Sequence, residues 1–359
     1  MIEARCMVLF HSAIKSEATR KNYDYQLDRF RRHCLLRNFE SLLKIKPSKI
    51  QEMLEDYILF QRKKTDNRST INGTLSAILL FYSMNDIILN STKLRKMLPE
   101  RTLTRGKKPY TTEQIQTMLK IFGNNPKYYA LTLFISSSGV RPGFSQELRI
   151  KDLKDVAEGC KSITVYAGHV KEYTTFITSE ASQALDDYFE SRKQNGEKLT
   201  PDSWVFTKKG KPDQALPSTD ITHTFIMKLP KVMDLGPVIN GRRDIQIVYG
   251  MRKRWNTIFK NDKNVNHRII EKMFSHAVKD FPLDSTYHLP TIEKSFSEYR
   301  KCIPELLISH EFRSKYQIQE KEKRINELEN DTSKIESLQF ENMDLKRRLL
   351  NIEEHIKQG

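Results

Sequence analysis

"KSITVYAGHVKEYTTFIT", residues 161–178, is the stretch that decides the fold. Ile163 and Val165, then Tyr173, Thr175 and Ile177, fall on alternate positions, with Gly168 between the two runs. Alternation of this kind around a glycine-bearing turn predicts a β-hairpin, because successive side chains of a strand point to opposite faces. Elsewhere as far as about residue 308 the apolar residues mostly recur at helical spacing. The chain therefore reads as mainly α with a small antiparallel β-sheet.

Upstream, residues 16–98 predict a group of short helices. "SEATRKNYDYQLDRFRRHC" begins at a cap residue, Ser16, and repeats Tyr23, Leu27, Phe30 and Cys34. "SKIQEMLEDYILFQRKK" carries Ser48 and Gln51 at capping-box spacing, with a face of Ile50, Met53, Leu54 and Tyr57. "STINGTLSAILLFYSM" and "STKLRKML" supply two more helices. Basic clusters ride on this block: Lys21 with Arg29, Arg31 and Arg32, then Arg62, Lys63 and Lys64. The segment "PERTLTRGKKP" lies between Pro99 and Pro109 and reads as a basic linker, and Thr111 with Gln114 then caps a new helix.

A net charge of +16 points to a polyanionic partner, either nucleic acid or an anionic membrane surface. No apolar run has the length of a bilayer span, and no basic amphipathic helix with an aromatic face stands out, so the membrane is the weaker reading. "MIEARCMVLF" makes a poor signal peptide, which leads us to expect a cytoplasmic protein. Cys6, Cys34, Cys160 and Cys302 form no CxxC pair, and no HExxH occurs. Neither a metal nor a cofactor is expected.

In "VYGMRKRWNTIF", residues 248–259, the apolar stripe Val248, Met251, Trp255 and Phe259 has Arg252 directly beside it. A charge in that position needs a partner, whereas Lys253 and Arg254 read as surface residues. The final segment is different again. From Ile335 the series Leu338, Asn342, Leu345, Leu349, Ile352 and Ile356 advances by three and four in turn. That is a coiled-coil seam with one polar a position, while Ile318, Ile325 and Leu328 upstream follow another phase.

"SSSGVRPGFSQELRIKDL", residues 136–153, resembles the first catalytic box of the tyrosine recombinases, the phage-integrase family. Arg141 matches the box arginine and Asp152 the box aspartate. Lys171 in "HVKEYTTFIT" resembles the hairpin lysine of that family, and "YGMR" stands where the family has HxxR, which puts Arg252 on the second arginine. "MFSHAVKDFPLDSTYHLP" resembles the closing box, with His276 followed by Tyr287 as nucleophile. The flavour is similar to integrases of archaea and their mobile elements, and the resemblance covers about residues 16–308. It implies an N-terminal helical core-binding (SAM-like) domain at 1–100, a linker at 101–110, a catalytic domain at 111–308 and, outside the resemblance, a coiled-coil tail at 309–359. It also implies site-specific strand exchange on double-stranded DNA by a tetramer, with Arg141, Lys171, Tyr249, Arg252, His276 and Tyr287 as the site.

The chemistry suits these residue types. Phosphate transesterification develops negative charge on non-bridging oxygens, which two guanidiniums grip by charge-assisted hydrogen bonds. A tyrosine serves as nucleophile and later as leaving group, and a lysine can protonate the departing 5′ oxygen. Two positions depart from the family pattern. Phe144 stands where an acid is usual, leaving Glu147 as the nearest candidate partner for Arg141, and Tyr249 replaces the histidine that opens HxxR. A phenol donates a hydrogen bond but is no base near neutral pH. Lys154, Lys161 and His169 are rivals to Lys171, and Tyr249 and Tyr299 are rivals to Tyr287. A non-catalytic DNA-binding protein on the same fold, or a type IB topoisomerase, are the competing functions.

Overall fold

A computed structural model of the chain describes residues 4–100, 108–238, 243–275 and 290–357, for the last eight the backbone alone being described. It forms two compact units. No helix among the described residues is long and apolar enough to cross a membrane.

The first unit is helical throughout: α1 (Arg5–Ser12), α2 (Glu17–His33), α3 (Glu40–Leu43), α4 (Pro47–Lys64), α5 (Arg68–Met84) and α6 (Ser91–Lys96). On α5, Ile71, Leu75, Ile78 and Phe81 line one face and pack against Phe10, Leu27, Phe30, Leu54 and Tyr57. Asn67 and Asn90 start α5 and α6 by accepting backbone N–H bonds from Thr70 and Lys93, which satisfies donors that the first turn leaves orphaned. The expected Ser48–Gln51 capping box does not form. Pro47 already occupies the first turn behind Lys46, since its fixed φ and missing N–H suit that place. Gln51 instead donates to Glu55 and accepts from the backbone of Asn90.

The second unit opens with α7 (Thr112–Phe122), where Thr111 and Gln114 make the expected capping box. Next comes α8 (Pro126–Ser138), buried on nearly every side from Ala130 onward. Beside it lies a meander of β1 (Leu153–Asp155), β2 (Lys161–Val165) and β3 (Tyr173–Ile177), with Val165 opposite Tyr173 and Lys161 opposite Ile177. Its two long strands are the hairpin expected from the alternation. Then follow α9 (Ser179–Gln194), a second hairpin of β4 (Thr207–Lys208) and β5 (Lys211–Ala215), α10 (Ser218–Lys228), α11 (Tyr249–Asn261) and α12 (His267–Met273). The β4–β5 pair is too short and too polar to show a period in the sequence; its burial is mostly exposed.

The unit closes with α13 (Ile292–Arg300), α14 (Ile303–Leu306) and the long α15 (His310–Lys357). The root of α15 is firmly held. The buried carboxylate of Glu180 accepts from the backbone N–H groups of Ile308 and Ser309 at 2.7 and 2.9 Å, an acid at a helix N-terminus. Tyr316 is buried, and Glu158 receives both Arg300 (2.6 Å) and Lys323 (2.7 Å). From Lys321 to Leu349 every residue but Asp344 is exposed.

Candidate active site

The first guanidinium is positioned by the way α8 ends. Gly139 takes a left-handed conformation, φ +64°, and its N–H bonds back to Ile135, a common glycine C-cap. Ser137 and Ser138 return their hydroxyls to Leu133 and Phe134, so the buried serine run leaves few demands unmet. The chain then extends at Arg141 before Pro142 begins a short 3₁₀ turn. Arg141, half-buried, donates to the carbonyl of Ser275 at 3.1 Å. Phe144 is fully buried, stacked on Phe134 and edge-on to Phe206. An aromatic core thus fills the place where an acid was the alternative. Asp152 ties its own turn, accepting from the backbone N–H of Arg149 at 2.8 Å.

The second guanidinium comes from α11, whose stripe of Val248, Met251, Trp255 and Phe259 is buried as its spacing implies. Arg252 is 5% exposed, lies over the ring of Phe274, and donates to the carbonyls of Gly139 and Phe274, the latter at 2.6 Å. Burial first, and then the like charge of Arg141, lower its pKa to about 10. Two arginines from distant segments therefore converge on residues 274 and 275. Their mutual repulsion in a partly desolvated place is relieved by any anion that joins them. Tyr249 opens α11 and is half-exposed, three residues before Arg252. Gly250 between them allows Tyr110 to press close: a Cβ there would lie 2.6 Å from the Tyr110 ring.

The hairpin turn 166–172 supplies further groups. Gly168 has φ +78°, and its N–H donates to Glu172 at 2.7 Å. Lys171 is exposed and, among the described residues, has no hydrogen-bond or ion-pair partner. Its rival Lys161 is committed elsewhere, paired with Asp155 at 2.8 Å, and His169 lies 3.7 Å from Glu147. Glu147 thus faces the hairpin histidine. Two residues that sequence reasoning missed stand beside the arginines. Tyr166 feels Arg141, Tyr249 and Arg252, and burial raises its pKa. Tyr173, buried beside Arg252, is pushed up to about 12 by that burial. Their positions at either end of the hairpin turn, Tyr166 just past β2 and Tyr173 opening β3, were the available signal.

His276 and Tyr287 lie outside the described residues. Of the rival tyrosines, Tyr299 is fully buried and donates to the carbonyl of Ser137 at 2.9 Å, which removes it from any solvent-facing chemistry. Arg254, expected at the surface, is 5% exposed instead. Two residues along a helix turn a side chain well away from Arg252. Arg254 points toward α7 and α14, donating to Thr112 and to the carbonyl of Glu305 at 3.0 and 2.6 Å.

No protein-family model matches the chain, and no curated protein matches it. Solved structures do. The chain is similar to the Tn1549 transposon integrase in complex with circular intermediate DNA, at 17% identity and a TM-score of 0.55, over 82% of this chain and 98% of that one. It is also similar to a lambda integrase tetramer bound to a Holliday junction, at 14% identity and a TM-score of 0.51, over 80% of this chain and 78% of that one. These likenesses show the fold, a mainly helical architecture with small antiparallel sheets shared with tyrosine recombinases.

Proposed function

We propose that the chain is a tyrosine-type site-specific DNA recombinase that breaks and rejoins double-stranded DNA for integration or excision. One observation carries this reading: Arg141 and Arg252 meet at the same short peptide, residues 274–275, immediately before the segment that holds His276 and Tyr287. In this reading residues 1–100 and 111–308 each bind DNA, joined by the basic linker 101–110. The tetramer on a Holliday junction in the lambda structure supports an oligomer of protomers acting together.

The step conserves bonds. The Tyr287 hydroxyl attacks phosphorus, its proton passing to His276, and a 3′-phosphotyrosyl bond forms as the P–O5′ bond breaks. Lys171 gives its proton to the departing 5′ oxygen. Arg141 and Arg252, with the hydroxyl of Tyr249, hold the non-bridging oxygens as their charge grows. The reverse attack by another 5′ hydroxyl reseals the strand. Because the bond energy stays in the phosphotyrosyl link, no nucleotide cofactor is needed.

The test is a nicked suicide substrate carrying DNA that flanks the gene, incubated with wild type and with Tyr287→Phe. An SDS-resistant protein–DNA adduct in the wild type alone is the expected result. Binding by both proteins without any adduct would favour a DNA-binding protein on this fold, a reading supported by the phenol of Tyr249 in the histidine position. An adduct that survives Tyr287→Phe would assign the nucleophile elsewhere.

A further inference from the structure

Among the described residues, the apolar seam of α15 has no partner. Ile335, Leu338, Leu345 and Leu349 are each more than half exposed, and the helix there is clear of the rest of the second unit. A stripe of this kind on an isolated helix is stable only when covered. What covers it can be read from the positions beside the seam.

We infer that α15 pairs with α15 of a second copy of this chain, as a parallel two-stranded coiled coil in register. With Ile335 at a, the seam has Leu338 at d, Asn342 at a, Leu345 at d and Leu349 at a. In a parallel pair Asn342 meets Asn342 of the other copy, and the two amides satisfy one another. In an antiparallel pair an a residue faces a d residue, so the Asn342 amide would be buried against leucine or isoleucine with its hydrogen bonds unmade. The flanking charges agree. Glu341 occupies position g and Lys346 the following e, so each Glu341 meets the Lys346 of the other copy in the parallel arrangement. Arg348 at the next g faces sequence position 353, a glutamate. Neither of these g–e pairs sets like charges together. An antiparallel pair instead aligns e with e and g with g, which removes both of these opposite-charge pairs. Phe340 and Met343 stand on the outer face and take no part.

The root fixes what the pairing does. Glu180, Tyr316 and the Glu158 ion pairs make α15 a rigid extension of the second unit. Parallel tails bring both roots to one end, so two catalytic units travel together before they meet DNA. This deepens the recombinase reading, on which its functional meaning rests: the tetramer is then assembled from two preformed pairs.

The experiment uses the full chain without DNA, followed by sedimentation equilibrium from nanomolar to tens of micromolar. A dimer mass is expected, lost in the Leu338→Asp/Leu345→Asp double variant, whose substitutions fall on exposed positions. Asn342→Cys should form a disulfide-linked dimer on oxidation that wild type, with its native cysteines, does not form. Lys346→Glu should weaken the dimer roughly tenfold, and Glu341→Lys added to it should restore affinity. A monomer throughout, a trimer or tetramer mass, a dimer that persists in the double aspartate variant, or a dimer without the Asn342→Cys crosslink would each overturn the inference. These readouts need no strand cleavage, so a dimer without any DNA adduct would sink the recombinase reading and leave the pairing standing.

Discussion

The guanidinium of Arg252 donates to the carbonyl of Gly139, and Trp255, almost a full turn further along the same helix, closes over that glycine. The end of α8 and the start of α11 therefore define one another. A Cβ on Gly139 would lie 2.8 Å from the indole of Trp255, in a backbone conformation of φ +64° that already disfavours side chains. Gly139→Ala should destabilise the chain by roughly 2–4 kcal/mol, combining left-handed strain with overpacking. Thermal unfolding measures it, and an unchanged melting temperature would refute the tight apposition.

Among the described residues Lys171 has no structural partner to lose, so its replacement separates chemistry from folding. Lys171→Ala should leave DNA binding and melting temperature unaltered while slowing strand cleavage by about 10²–10⁴, the usual contribution of a general acid. A substrate with sulfur in place of the bridging 5′ oxygen has a leaving group that needs no proton and should recover most of that loss. If the sulfur substrate is as slow as the normal one in the variant, Lys171 is not the acid.

Tyr299→Phe is the control for the nucleophile. Its hydroxyl is buried on the carbonyl of Ser137, so the variant should lose about 1 kcal/mol of stability and keep full adduct formation. Loss of the adduct with stability intact would make Tyr299 a participant.

The root of α15 should respond to acid. Burial alone would raise the Glu320 carboxyl, but hydrogen bonds from Arg300 and Lys323 outweigh it and hold its pKa low. A carboxyl depressed in the folded state adds stability that is fully present above its ordinary value of about 4.3 and is lost as pH falls through the depressed value. Protection of residues 310–324 against hydrogen exchange, referred to the intrinsic rate at each pH, should therefore fall on acidification, and Glu320→Gln should flatten that dependence. An identical acid response in Glu320→Gln would place the sensitivity in another group.

DNA affinity should be dominated by phosphate contacts, given the net charge of +16. A protein making ~6–10 such contacts loses ~10³–10⁵ in affinity between ~50 and ~200 mM salt. A fluorescence titration that showed little change over that range would argue for binding by base readout or burial instead.

The helices and the main hairpin were legible because their periods are local: Ile163, Val165 and Thr175 alternate, and Val248, Met251 and Trp255 recur, whatever packs on them. Arg252 was legible for the same reason, since a charge beside an apolar stripe needs an explanation. Arg254 was not. Its neighbour Lys253 looks equally polar in sequence, and only the approach of α7 and α14 buries the one and spares the other. Tyr173 was missed because an alternating strand places aromatics on either face, and Tyr166 because it sits in the turn at φ +58°; tertiary packing alone brings either one to the arginines. The Ser48–Gln51 box failed through competition: Pro47 set the start of the helix first.

Gly250 shows how easily variation at this site would be misread. It sits between Tyr249 and Arg252, yet its own part is to let the ring of Tyr110 reach the backbone of α11, where Tyr110 also donates to the carbonyl of Ile247 at 2.9 Å. A library that randomised residues 249–252 and selected for activity would return glycine at 250 as stubbornly as arginine at 252. The first result would measure the thickness of a tyrosine ring, the second, in the recombinase reading, the grip on a phosphate. A screen for folding alone would return the glycine on steric grounds, and the arginine only so far as the carbonyls of Gly139 and Phe274 need its donors.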